Sequence, residues 1–168
     1  MPTTRKITSF TLKGPKLIVH DPTYGLATTD SVTVELPPGR FTVEVDLVPN
    51  KEDGGFVVGA FRMRSGSRKG TSRRLLGRVV VDAACVVFYD LEAFKSAFEN
   101  DPRAYFRHVE PLMDRTDLVL AGHLPRKKSL EIALCYSGYG DGTYPIYELR
   151  HDGRRIGIEA QFIRTKAA

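Results

Sequence analysis

Apolar and polar residues alternate in short runs along most of this 168-residue chain, and this pattern restricts its fold more than any other feature. A period of two gives a β-strand one buried face and one exposed face. Gly, Pro, Asn or Asp residues stand at the ends of the runs, as they do at the ends of strands. The first runs are residues 6–12, 16–20, 31–36, 40–48 and 56–64. The sequence therefore predicts antiparallel β-structure.

Two turn sequences predict hairpins. Residues 37–39 read Pro-Pro-Gly and predict that the strands on either side pair with each other. Residues 151–153 read His-Asp-Gly and predict the turn of a last hairpin, between strands at residues 144–150 and 154–163. The apolar faces of the first hairpin are Val32, Val34 and Leu36 on one strand, and Phe41, Val43, Val45 and Leu47 on the other.

The middle of the chain departs from simple alternation. Residues 75–89 are nearly all apolar, which predicts a strand buried on both faces in the middle of the sheet, with a break near Ala83 and Ala84. After Asp90, a plausible N-cap, the period changes to that of a helix. A second short helix is expected over residues 103–109, capped by residues 101–102 and ended by Pro111.

Residues 130–136 restore the strand pattern, and no internal repeat or linker interrupts the chain. We therefore predict a single domain over residues 1–168. Its class is α+β, predominantly β: an antiparallel sandwich or partly closed barrel with one short helical insertion at about residues 91–109.

The composition is that of a soluble globular protein, with 42% apolar and 27% charged residues. No apolar run approaches the roughly 18 residues that span a bilayer, and the first residues do not resemble a secretory signal. We expect a cytoplasmic protein that does not bind membranes. Cys85 and Cys135 lie in apolar runs and are expected to be buried and reduced.

The net charge of +5 is unevenly distributed, because residues 54–81 hold seven basic side chains and no acidic one. One interpretation is a solvated loop, since residues 65–72 are rich in small polar residues. The other is a face that binds phosphate, nucleic acid or an acidic protein. The candidate anion-binding residues are Arg62, Arg64, Arg68, Arg73 and Arg74.

Residues 137–147 are the most informative candidate site, because SGYGDGTYPIY holds three glycines, one aspartate and three tyrosines. So much glycine indicates positive φ angles or a close approach of the backbone to another group. The segment leads into a strand, not a helix, which excludes a dinucleotide fingerprint or a P-loop. It is either a structural turn in which Asp141 caps backbone amides, or a binding loop.

Other carboxylates follow apolar segments at Asp21, Asp82 and Asp90. Two of them meeting Asp141 would offer oxygen ligands for Mg²⁺ or Ca²⁺, or a pair of groups for acid–base catalysis. Taken singly, Asp21 before a proline is typical of a turn and Asp90 of a helix cap. The four histidines and two cysteines are too scattered to predict a zinc site, and no nucleophile motif occurs.

Three segments together resemble a group of small bacterial and phage proteins without known activity. They are KLIVHDPTY at residues 16–24, VVDAACVVFYD at 80–90, and the block at 137–147 with the strand after it. The resemblance covers about half of the chain and does not include residues 62–78. It implies no activity, only candidate site residues: Asp21, Tyr24, Asp82, Asp90, Asp141 and Tyr144.

From these observations we expect a non-enzymatic interaction protein, of an immunity or phage-related kind, that presents residues 138–147 to a protein partner. Tyrosines such as Tyr139 suit that role, because they offer a large contact area at a small entropic cost. The alternative is a metal-dependent enzyme or ligand-binding domain, in which clustered aspartates hold a divalent cation over a phosphorylated small molecule and the arginines bind its phosphate. Nucleic-acid binding is a third hypothesis.

Overall fold

The structure is a computed structural model, and it describes residues 2–24, 30–52, 54–66, 70–98, 104–114, 119–124 and 127–163. Within these ranges the chain forms eleven strands and two helices. The first seven strands are β1 (Thr3–Leu12), β2 (Lys16–His20), β3 (Val32–Glu35), β4 (Gly39–Pro49), β5 (Phe56–Ser65), β6 (Ser72–Val81) and β7 (Cys85–Asp90). The helices α1 (Leu91–Phe98) and α2 (Ala104–Met113) follow, and then β8 (Val119–Leu124), β9 (Lys127–Tyr136), β10 (Gly142–His151) and β11 (Arg154–Gln161).

The strands form two antiparallel sheets. The six-stranded sheet has the order β1-β4-β5-β11-β10-β6, and the five-stranded sheet has the order β3-β2-β7-β9-β8. A core that includes Phe41, Phe61 and Phe88 fills the space between them. The sheets are not closed into a barrel in the described part of the chain, so the predicted β-rich sandwich is confirmed.

The two helices form a third layer on the outer face of the five-stranded sheet. Successive side chains of a strand point to opposite faces of its sheet. Val86 and Phe88 of β7 therefore face the core between the sheets, while Val87 and Tyr89 face the helices. The strand β7 is buried along its whole length. The prediction of a central strand buried on both faces is therefore confirmed for β7, and the chain breaks as predicted at residues 82–84, where Ala84 has a φ of +52°. The preceding strand β6 instead lies at an edge of the other sheet.

The predicted hairpin at residues 37–39 is wrong. Strand β3 pairs with β2 in the five-stranded sheet, whereas β4 pairs with β1 and β5 in the six-stranded sheet. The Pro-Pro-Gly segment therefore carries the chain from one sheet to the other. The apolar faces of both strands still line the same core, where Val34 and Val43 are buried.

The last hairpin is confirmed. His151 pairs with Arg154 across a two-residue turn, and both turn residues have positive φ, +49° at Asp152 and +74° at Gly153. These angles are typical of an Asp-Gly type I′ turn.

Helix α1 begins as predicted, because Asp90 Oδ1 accepts hydrogen bonds from the backbone N–H groups of Glu92 and Ala93, both at 2.9 Å. The predicted end of α2 is wrong, since Pro111 lies inside the helix. A proline so close to the end of a helix removes only one backbone hydrogen bond. The predicted cap at residues 101–102 lies outside the described residues. Strand β8 is present in the structure but was not predicted.

Cys85 and Cys135 are buried free thiols, as predicted. They lie on neighbouring strands but on opposite faces of the five-stranded sheet, Cys135 in the core between the sheets and Cys85 below the helices. A disulfide between them would require the sheet to distort. Burial raises the pKa of the Cys85 thiol to about 12.

Candidate functional site

Two connections between the sheets lie side by side at one end of the sandwich, which we call the loop end. Residues 82–84 lead from β6 to β7, and residues 137–141 lead from β9 to β10. The connections are neighbours because β6 pairs with β10 and β7 pairs with β9. Two hydrogen bonds join them: the N–H of Ser137 donates to the Ala84 carbonyl at 2.9 Å, and the N–H of Ala84 donates to Asp141 Oδ1 at 3.0 Å.

The glycine-rich loop has the backbone that its sequence predicts. Gly138 and Gly140 have φ angles of +68° and +106°. A Cβ atom at Gly138 would lie 2.8 Å from the carbonyl oxygen of Val58, so both predicted reasons for glycine, positive φ and close approach, apply at this residue. The carbonyl of Gly140 accepts hydrogen bonds from Ser137 Oγ at 2.6 Å and from the Tyr144 hydroxyl at 2.7 Å.

Tyr139 is the exposed tip of this fixed loop. Its side chain is 68% exposed, the largest exposure among the big apolar and aromatic side chains in the described ranges. Phe56, which is 55% exposed, begins β5 at the same end, two residues before the Val58 carbonyl that Gly138 approaches. Behind the loop, the rings of Tyr144 and Phe162 pack edge to face with centroids 5.1 Å apart. Tyr144 is therefore a supporting residue, and Tyr139 is the one that presents its ring to solvent.

Asp21 is a buried structural carboxylate. Its Oδ1 accepts hydrogen bonds from the backbone N–H and the hydroxyl of Thr23, at 2.7 and 2.5 Å. Its Oδ2 accepts hydrogen bonds from the backbone N–H groups of Asp82 and Ala83, at 2.6 and 2.8 Å. Since a carboxylate has about four acceptor positions, Asp21 has little capacity left for a ligand. Through its Oδ2 atom, Asp21 holds the backbone of the connection at residues 82–84 in place.

Asp82 and Tyr24 form a pair on the surface of the same end. The Tyr24 hydroxyl donates a hydrogen bond to Asp82 Oδ2, and this bond is the main reason that the pKa of Tyr24 rises to about 12. The carboxylates of Asp82 and Asp141 are both on exposed residues. The loop end thus brings together Tyr24, Asp82, Tyr139 and Asp141.

Asp90 lies at the opposite end of the sandwich. Besides capping α1, it accepts hydrogen bonds at Oδ2 from the backbone N–H groups of Lys13 and Gly14, at 2.7 and 2.6 Å. It joins the β1–β2 turn to the helix and takes no part in the group around Asp141. Of the predicted carboxylates, Asp21, Asp82 and Asp141 meet at one place and Asp90 does not.

These carboxylates do not form a recognisable metal site. No group of three or more His, Cys, Asp or Glu side chains in the described ranges is arranged to hold a metal ion. The oxygens of Asp21 already accept four hydrogen bonds, and one oxygen each of Asp82 and Asp141 is hydrogen-bonded to Tyr24 and Ala84. The arrangement is that of a rigid support for a loop.

The arginines of the basic stretch are paired with acids from other strands. On the outer face of the six-stranded sheet, Arg62 contacts Asp46 and Glu159, Arg73 contacts Glu159, and Arg64 contacts Glu44. Arg73 also stacks over the ring of Tyr147, 4.3 Å from its centroid. A groove of about 460 Å³ lies along this face, lined by both the arginines and the acids. Arg68 lies outside the described residues, and Arg74 belongs to a different cluster, around Glu148.

A buried histidine was not predicted as a distinctive feature. His20 has no exposed surface, its Nε2 is hydrogen-bonded to the Tyr89 hydroxyl, and its ring lies 6.3 Å from that of Tyr105 on α2. Burial lowers its pKa to about 4, so His20 is neutral at physiological pH. Its position directly before Asp21 is the sequence signal that links it to the loop end.

Phe56 is an exposed residue at the loop end that the sequence did not predict as part of a site. It follows Gly54 and Gly55 and is the first residue of a strand, a place where side chains commonly remain outside the core. The alternating pattern alone assigns it to a strand and does not show that it is exposed.

The chain matches no protein-family model, no curated protein and no solved structure. Neither helix in the described ranges has the length and apolar character needed to cross a membrane.

Proposed function

We propose that this protein is a non-enzymatic interaction protein that binds a protein partner through its loop end, with Tyr139 as the central contact. One observation carries the proposal: an aromatic side chain that is 68% exposed stands on a loop whose backbone is fixed by hydrogen bonds on both sides. A role of an immunity or phage-related kind follows only from the resemblance and belongs to the same proposal.

The physical reason is preorganisation. A binding loop that is ordered before the partner arrives does not lose conformational entropy in the complex. Tyrosine adds a large, amphipathic contact surface with few rotatable bonds, which is why it is common in binding sites and among their most important residues. Phe56 would extend the apolar part of the contact, and Asp82 and Asp141 would form its polar rim.

The competing function, in which clustered aspartates hold a divalent cation over a phosphorylated small molecule, has no observation in its favour among the described residues. It requires carboxylate oxygens that converge on an open position. The oxygens of Asp21 are occupied by backbone and hydroxyl donors instead, and the described residues contain no set of metal ligands.

The test is affinity capture with the full chain as bait, in an extract of the organism that encodes it. A specific partner should bind the wild-type chain and should bind Tyr139→Ala at least about thirtyfold more weakly, the loss typical of a central interface tyrosine. Phe106→Ala is the matched control, because Phe106 is an aromatic residue of α2, 37% exposed, in the helical layer outside the five-stranded sheet. Equal capture by the wild-type chain and Tyr139→Ala would exclude this surface.

A further inference from the structure

Three arginines gather around one buried glutamate near the opposite end of the six-stranded sheet. Glu148 of β10 has no exposed surface. Arg150 of the same strand and Arg155 of β11 contact its carboxylate through their Nε atoms, and Arg74 of β6 lies with Nη2 3.5 Å from Oε2. Strand register brings them together, because Glu148 pairs with Arg74 and Arg150 pairs with Arg155.

The charges of this cluster do not balance. Among the described residues, three guanidinium groups meet one carboxylate in this cluster, which leaves an excess of two positive charges. Arg150 and Arg155 lie directly opposite each other on paired strands, an arrangement of like charges that destabilises a sheet. Glu148 Oε2 and Arg155 Nε are buried and contact each other, so this ion pair has lost its hydration. An ion-pair cluster that served only stability would not be expected to combine these costs.

The arginine side chains are nevertheless held in place and open to solvent. Nη1 of Arg150 donates a hydrogen bond to the Gly153 carbonyl at 3.3 Å, and Nη1 of Arg155 donates one to the Glu35 carbonyl. The side chains of Arg74, Arg150 and Arg155 are 61%, 35% and 30% exposed. Each guanidinium has five N–H donors, so donors remain for a ligand outside the cluster.

We propose that Arg74, Arg150 and Arg155 form a binding site for a dianionic phosphate group, such as that of a small phosphate monoester, with Glu148 as the residue that positions them. Guanidinium groups match the geometry of phosphate oxygens through paired N–H donors. A dianion would neutralise the excess charge, whereas a phosphodiester in a nucleic acid carries a single charge per phosphate. This site is separate from the Tyr139 surface and does not depend on the function proposed for it.

In the test, the full chain is titrated with inorganic phosphate at constant ionic strength. The melting temperature is measured at each phosphate concentration. The melting temperature should rise with phosphate concentration, because phosphate binds the folded state. Arg74→Gln should weaken the apparent affinity about tenfold, since it removes a charge-assisted contact. Arg74 is the most exposed of the three, so this variant should still fold. Arg5→Gln removes the same charge from an exposed residue on β1, at the other edge of the sheet, and should leave the affinity unchanged.

Three results would overturn the proposal. The first is a melting temperature that phosphate does not raise above the matched chloride control. The second is an equal loss of affinity in Arg5→Gln and Arg74→Gln, which would indicate a general effect of net charge. The third is an equal or larger stabilisation by dimethyl phosphate or by a short oligonucleotide, which would favour a phosphodiester ligand.

A second measurement uses only the wild-type chain. In NMR spectra that detect arginine side-chain Nε–H groups, added phosphate should shift the signals of Arg74, Arg150 and Arg155 at millimolar concentrations. Shifts confined to other arginines would contradict the site.

Discussion

At the scale of single residues, two aspartates that follow apolar strands have the same structural role. Asp21 and Asp90 are both buried, and each accepts four hydrogen bonds, two from neighbouring residues in the sequence and two from a segment that is distant in the sequence. The sequence predicted the local part of each role, a turn at Asp21 and a helix cap at Asp90. It could not predict the second pair of donors, because the β6–β7 connection and the β1–β2 turn reach these carboxylates only in the folded chain.

Asp21→Asn should lower the free energy of unfolding by about 3 kcal/mol. The amide nitrogen of asparagine cannot accept a hydrogen bond, so either the two donors of Thr23 or the backbone N–H groups of Asp82 and Ala83 would lose their partner in a buried place. Urea denaturation would measure the difference. Asp82→Asn is the isosteric control on the exposed side and should change stability by no more than about 0.5 kcal/mol; equal losses in the two variants would contradict this role of Asp21.

His20 should make the protein less stable in acid. Its pKa is about 4 in the folded chain and 6.5 when unfolded, so between these values the unfolded state binds more protons. The stabilising contribution is complete above pH 6.5 and is lost as the pH falls toward 4, by about 3 kcal/mol in total.

The check is the free energy of unfolding as a function of pH in the wild-type chain and in His20→Gln, which keeps a neutral polar side chain at this position. The variant should lose less stability than the wild type across this pH interval. Parallel curves for the two proteins would show that His20 does not titrate as expected.

At the scale of secondary-structure elements, alternation identified most strands but not their neighbours. The segments 31–36 and 40–48 form β3 and β4, with apolar faces in one core as predicted, yet these strands belong to different sheets. A period of two indicates which face of a strand is buried, but not which strand is hydrogen-bonded to it. Two strands that pack against each other across a sandwich have the same pattern as two strands paired within one sheet. The Asp-Gly turn did identify its hairpin, because positive φ at both positions is specific to that connection.

The charge of the basic stretch also depends on which strands become neighbours, and the sequence pattern does not identify them. Residues 54–81 contain no acidic residue, but β5 lies between β4 and β11, which supply Glu44, Asp46 and Glu159. Burial lowers the pKa of Arg62, but the hydrogen bond to Asp46 and the charges of Glu159 and Asp46 raise it above its ordinary value. Charge counted along the chain therefore overstates the charge of the sheet surface.

Arg62→Met should lower the free energy of unfolding by about 3 kcal/mol, because it leaves Asp46 and Glu159 partly buried without their shared partner. Arg78→Met provides the control, since Arg78 is an exposed arginine of the same basic stretch, and its effect should stay within about 0.5 kcal/mol. A loss in Arg62→Met no greater than in the control would mean that the ion pairs contribute nothing. Chemical denaturation at low and at moderate salt measures both variants.

Gly138→Ala should destabilise the protein by about 2 kcal/mol more than Gly153→Ala. The two glycines have similar φ angles, +68° and +74°, so the intrinsic strain of an alanine is similar. Only at Gly138 would the new Cβ meet a backbone atom, the Val58 carbonyl oxygen at 2.8 Å, whereas the space around Gly153 is open. Thermal and urea denaturation of the two variants provide the comparison; equal destabilisation would show that the loop can move away from β5.

At the scale of the whole molecule, the sandwich separates two candidate surfaces. Exposed Tyr139 and Phe56 lie at the loop end with Asp82 and Asp141, and an arginine cluster lies around Glu148 near the opposite end of β10. The sequence located the first surface through its glycines and tyrosines. It could not locate the second, because Arg74 is more than seventy residues away from Arg150 and Arg155 in the sequence.

The proposed binding surface requires that the loop at residues 138–141 has one conformation before any partner binds. Backbone ¹⁵N relaxation of the free protein tests this directly. We expect order parameters for these amides near those of strand β10, about 0.85, because hydrogen bonds from Ala84, Ser137 and Tyr144 fix the loop. Order parameters below about 0.6 at Tyr139 and its neighbours would contradict a preorganised binding loop.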